Sequence, residues 1–165
     1  MLPAVAGPPS TVGFDLLLLF HVAAALVGFG ALAVSGVQAD RLARHGSGAL
    51  PDDLRRYFSP GVNWAGRVLY LVPVLGAGLV ADGRFSVGDP FVAAGLGLWA
   101  LAAAVAEGVL WPAERRLQRA LAASPGTRPA AVPGVVRDCR LVAGSSALAV
   151  VVFVTATVVM VARPR

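Results

Sequence analysis

From Leu16 to Gly36 the chain runs for 21 residues without an Asp, Glu, Lys or Arg, and its one ionisable side chain is His21. As a helix, such a run is about 30 Å long, matching the hydrocarbon thickness of a bilayer. Backbone N–H and C=O groups find no water at that depth, so a helix is the form in which a single segment satisfies them. At helical spacing His21, Ala24, Ala25, Gly28, Leu32 and Ser35 share one face. That stripe combines the ionisable group with small residues, and it is expected to face protein and not lipid.

Three further apolar runs follow, and the rest of the chain is too poor in charge to surround a soluble core. Of 165 residues 57% are hydrophobic and 14% charged, with a mean hydropathy of +0.74. The expectation is an all-α membrane protein: one domain, residues 1–165, forming a four-transmembrane-helix bundle with two long basic loops. The spans are placed at about 13–36, 61–81, 91–111 and 141–162. Ser10 or Thr11 is expected to cap the first helix near Val12, and Asp15 suits its first turn. Asn63, Arg67 and Pro73 interrupt the second span, and Pro73 should kink it. Asn63, Arg67, Tyr70, Val74 and Ala77 share its polar face. Gly83 and Gly88 suit a tight turn before an Asp89 cap and Pro90 at the first helical position. In the third span Gly97, Ala100, Ala103, Ala104 and Glu107 form a small-residue face suited to close helix packing. Beyond Trp111-Pro112 a kinked or extended helix should carry Glu114, Arg115, Arg116 and Arg119 out of the membrane. Residues 50–58 read as a short amphipathic helix lying along the membrane surface and capped near Asp52.

The formal charge of +5 comes from 14 Arg and no Lys, concentrated in 41–56 and 115–140. Aromatic residues do not interleave with them as a base-stacking surface requires, so nucleic acid is excluded as a partner. The Arg-rich loops instead suit anionic lipids and the positive-inside rule. Loop one holds four Arg and the 112–140 segment six, against Arg84 alone between spans two and three. Both basic loops are therefore expected in the cytoplasm, with the N-terminus and C-terminus outside, although Arg163 and Arg165 oppose this weakly. Trp64 and Trp111 fall where an inner aromatic belt would lie. The N-terminus lacks a basic n-region, and the first run is read as an uncleaved span.

Three ionisable groups lie well inside the spans: His21, Arg67 and Glu107. Arg67 and Glu107 fall at similar depth in one leaflet and are expected to form a structural ion pair. His21 enters from the other surface, which separates it from Glu107 by about 10 to 15 Å along the membrane normal. It is expected as a neutral imidazole bonded to a carbonyl or to Ser145, Thr155 or Thr157. The functional alternative is a haem ligand, with Arg67 or Tyr70 at a propionate. His45 lies in a basic loop, so a second intramembrane histidine is missing. No nucleotide-binding or hydrolase motif occurs, no catalytic residue is assigned, and no metal site is expected. Cys139 stands alone and cannot form an intrachain disulfide.

The motif Phe20-His21-Val22-Ala23-Ala24, followed by Gly28 and Gly30, resembles the Leu-His-x-x-Ala-Ala start of a family of bacterial integral membrane proteins of unknown function. The layout of four spans with Arg-rich loops extends that likeness along the chain. A similar first helix occurs in copper-resistance D-type membrane domains and in four-span protoporphyrinogen oxidases. Here the Trp that often follows the histidine, the intramembrane Lys of the oxidases and the extra ligands of the copper proteins are absent, so those activities are not carried over. The resemblance and the Arg-, Ala- and Gly-rich composition imply a bacterial inner-membrane protein. Its expected role is structural or accessory, without a self-contained active site. A haem- or quinone-associated redox protein using His21 and a small transporter are the alternatives. A homo-oligomer or membrane-complex partner would fit all three.

The Arg asymmetry generates a topology test. With Cys139 replaced by Ser, cysteines at positions 47 and 124 should resist an impermeant thiol reagent in intact cells, whereas one at position 86 should label. Labelling at 47 but not at 86 reverses the orientation.

Overall fold

The structure, a computed structural model, describes residues 12–45, 50–82, 85–124 and 129–162. The expected caps at Ser10 and Thr11, the turn residue Gly83, and Arg84, Arg163 and Arg165 lie outside the described residues. Among the described residues the chain is helical, without a strand. Helix α1 spans Val12–Arg44, α2 Asp52–Tyr57, α3 Trp64–Arg67, α4 Leu71–Asp82, α5 Pro90–Val105, α6 Trp111–Ala123 and α7 Val135–Ala162. A 3-10 turn, Val68–Tyr70, joins α3 to α4, and a π-helical turn, Ala106–Leu110, joins α5 to α6. The four units Val12–Arg44, Trp64–Asp82, Pro90–Ala123 and Val135–Ala162 are long and apolar enough to cross a membrane.

Successive spans run antiparallel, and α1 is the element that the others share. It packs against α7 and against the α3–α4 unit, while α7 also packs against α5 and α6. Ala24, Gly28, Leu32 and Ser35 of the expected stripe are buried, and His21 and Ala25 are half-buried, so this face does meet protein. Gly28 is required by sterics: a Cβ there would lie 2.8 Å from the Leu69 backbone nitrogen and 2.9 Å from its Cα. At Gly36 a Cβ would lie 2.5 Å from Cβ of Ser146 on α7. Phe29 and Phe153 stack between these levels, with centroids 5.0 Å apart. On α5 the packing face differs from the expected one. Gly95, Ala102 and Ala106 are buried, while Gly97, Ala100 and Ala104 are exposed. Small residues surround this helix on every side, so the face is selected by α7 and not by the local pattern.

Each interior proline has a visible structural consequence. Pro73 has no N–H, which leaves the carbonyl of Leu69 without its helical donor. The Trp99 indole of α5 donates to that carbonyl at 3.0 Å, so the defect is repaired across a helix interface. Pro112 removes another donor, and the backbone widens into the π turn, where the N–H of Trp111 reaches Ala106 O. The helix continues through this turn. Asp89 accepts from the N–H of Ser86 at 2.9 Å and closes the turn before Pro90.

Helix α1 has 33 residues, or about 50 Å of rise, which exceeds a 30 Å hydrocarbon layer. The α5–α6 unit is similarly long. Their excess, with α2 and the start of α7, forms an overhang at one end. Leu42, Leu54, Phe58, Leu117, Val135 and Cys139 pack there, each at most 2% exposed. Leu54 and Phe58 of the 50–58 segment therefore insert into protein, and α2 closes the overhang. Its N-cap position is Pro51, one residue before the expected Asp52. Arg116 holds Asp138 through a forked guanidinium–carboxylate contact, with N–O distances of 3.0 to 3.2 Å. This pair ties α6 to α7.

Gly28→Ala should lower stability in detergent by about 1 to 3 kcal/mol, because the added methyl meets backbone and not a movable side chain. Gly30→Ala, with nothing within 4 Å of the added carbon, should be neutral. Comparing the two unfolding midpoints checks this.

Candidate functional site

The sequence-derived pair forms. Arg67 at the end of α3 donates to Glu107 of the π turn, with Nη1–Oε1 of 2.9 Å. Tyr70, one turn beyond Arg67, donates to the same carboxylate oxygen. The Arg67 guanidinium also lies flat over Trp111, 3.6 Å from the ring centroid. Trp111 is only 3% exposed, so it is an interior stacking partner and not the belt residue its position suggested; Trp64, 75% exposed, remains on the outside. Tyr70 contacts both Trp99 and Trp111. The Glu107 side chain is 49% exposed, which places the pair on the flank of the bundle and not at its centre.

His21 stands apart from this group. Its Nδ1 lies 3.0 Å from the carbonyl of Val72, and its ring edge lies against Gly76 of α4. With Nδ1–H as donor, the imidazole bonds a backbone carbonyl, one of the partners its setting allowed. Ser145, Thr155 and Thr157 instead bond carbonyls one turn earlier on α7. Arg67 and Tyr70 are joined at Glu107, while His21 is directed to a separate stretch of α4. The three residues considered for haem thus divide between two places. Among the described residues no group of three or more His, Cys, Asp and Glu could hold a metal ion.

A second polar cluster, missed in the sequence, lies where α1 leaves the apolar span. The Ser35 hydroxyl lies 2.6 Å from the Tyr57 hydroxyl, 3.3 Å from Asn63 Nδ2 and 3.4 Å from Glu114 Oε1. Ser35 has one proton and two lone pairs. If that proton goes to the carboxylate, both Tyr57 and Asn63 must donate to Ser35. The cluster then runs from the phenol through the serine to Glu114. Asn63 is oriented by its other end, since its Oδ1 caps α3 by accepting from the Gly66 N–H. Burial pushes the Tyr57 phenol above its ordinary value, which keeps it a neutral hydroxyl.

Glu114 is only 4% exposed and makes no ion pair among the described residues. Together with Tyr57, Ser59, Gly61, Val62, Asn63 and Gln118 it lines a cleft of about 210 Å³. Gln118, one turn beyond Glu114, is 8% exposed, and its side chain has no hydrogen-bond partner among the described residues. The available sequence signal was the i, i+4 spacing of Glu114 and Gln118 beside Trp111 and Leu117, with Ser35 continuing the α1 stripe. What it lacked was the fold of residues 50–63 over this end.

The chain matches no family model, no curated protein and no solved structure.

Arg67→Ala and Glu107→Gln should each destabilise the bundle by about 1 to 3 kcal/mol, with the double variant less affected than their sum by about 1 kcal/mol. Strict additivity in a double-mutant cycle would mean that the pair contributes no coupling.

Proposed function

We propose that this chain is a four-span protein of a bacterial inner membrane with a structural or accessory role and no self-contained active site. The carrying observation is that its intramembrane polar groups are engaged with one another or with backbone: Arg67 with Glu107, Tyr70 and Trp111, and His21 with Val72. Groups used in this way fix helix register and depth. The family likeness of the first helix belongs to the same proposal. So does an orientation with the overhang in the cytoplasm, because both Arg-rich segments converge at that end and favour anionic lipid. Association with itself or with a membrane complex fits an accessory role.

The reading is tested at His21. Detergent-purified protein should show no Soret band. His21→Gln should keep the wild-type unfolding midpoint, since an amide can still donate to Val72. His21→Leu should lose about 1 kcal/mol with that hydrogen bond. A coloured wild type that His21→Gln bleaches would replace this proposal with the haem alternative.

A further inference from the structure

The cleft beside Glu114 does not end at its polar lining. Tyr57 and Asn63 also border a second hollow of about 280 Å³, whose other walls are Val27, Ala31, Val34 and Ala65. Val27 and Val34 are 49% and 48% exposed on the outer face of α1. An apolar groove along a span thus meets a polar, acidic cleft at the level where the chain leaves the apolar layer. A ligand matching both parts has an apolar tail and a cationic head.

The donors and acceptors narrow the head further. Glu114 offers a carboxylate without an ion-pair partner; Arg67 and Arg115 act on it only from a distance. Gln118 adds a side-chain amide without a hydrogen-bond partner among the described residues, and the Tyr57 oxygen is a further acceptor. A primary ammonium has three N–H donors for such acceptors, whereas a trimethylammonium has none.

We propose that this composite cleft binds an aminophospholipid, its primary ammonium between Glu114 and Gln118 and one acyl chain along Val27, Ala31 and Val34. The inference rests on the membrane placement proposed above but not on the absence of an active site.

The test measures the unfolding midpoint of the full-length protein in detergent, titrated with phosphatidylethanolamine, phosphatidylcholine or phosphatidylglycerol of identical acyl chains. The ethanolamine lipid should raise the midpoint at about one tenth of the concentration that the choline lipid requires, as expected for losing a charged hydrogen bond. Glu114→Gln should abolish that preference and Gln118→Ala should weaken it. Ala31→Trp should block the groove and remove the response to all chain-bearing lipids. Free n-butylammonium chloride, a head without lipid chains, should act only at far higher concentration. Equal responses to the three lipids overturn the proposal, as does a preference that survives both Glu114→Gln and Gln118→Ala. Equal potency of the free amine and the lipid would assign the cleft to a soluble amine and overturn the lipid assignment. Each of these outcomes can occur with or without a Soret band, so failure here is distinguishable from failure of the accessory reading.

Discussion

Pro73 leaves the Leu69 carbonyl without a helical donor, and within an apolar span no water supplies one. The Trp99 indole supplies it instead, which ties α5 to the 3-10 turn ahead of α4 at one height. Gly28 of α1 meets the same 3-10 turn, where an added Cβ would lie 2.8 Å from the Leu69 backbone nitrogen. His21 then meets the carbonyl of Val72. Three helices are therefore located by one proline-disrupted turn, and the Arg67–Glu107 contact lies just beyond it. The Tyr70, Trp99 and Trp111 rings fill the space between α4 and the α5–α6 unit, which have no glycine-mediated approach of the kind α1 has.

The polar groups divide into two populations with different physics. Within the apolar helices Arg67 pairs with Glu107 and His21 meets a backbone carbonyl; a lone charge in hydrocarbon would cost about 3 kcal/mol or more. In the overhang, helices α1, α6 and α7 build a protein core of ordinary character, closed by Leu54 and Phe58 of α2. The Arg116–Asp138 fork ties that core together. The Ser35, Tyr57, Asn63 and Glu114 cluster lies between the two regions, reached from the span through Ser35 and from the overhang through Tyr57.

The helices were legible in the sequence because each apolar run is long enough to cross hydrocarbon and has no other stable form there. The α1 stripe was legible for a related reason: one ionisable group among small residues leaves a single face that tolerates protein contact. Arg67 and Glu107 could be paired from depth alone, since each is the other's nearest available opposite charge in that leaflet. Other features depended on information absent from any local window. The packing face of α5 was not legible, because Ala and Gly occur all around it and α7 makes the choice. Trp111 looked like an interfacial residue until the guanidinium of Arg67 was placed over its ring. Glu114 looked like part of a solvated helix face, and only the return of residues 50–63 over the overhang buries it.

That burial bears on what Glu114 is for. A buried carboxylate without a cation carries a desolvation cost, and replacing buried charged or polar groups with apolar ones of similar volume is often neutral or stabilising. The overhang already has a packed core and a forked Arg116–Asp138 pair, so its integrity does not depend on an additional acid. Ser35 and Asn63 serve evident structural ends, joining α1 to α3 and capping α3. Among the described residues Glu114 and Gln118 make no ion pair, and the Ser35 hydroxyl reaches Glu114 only at 3.4 Å. Stability alone therefore explains their neighbours better than it explains them. A cationic head in the cleft would supply the missing counter-charge and use the idle amide, with the adjoining apolar groove holding the tail.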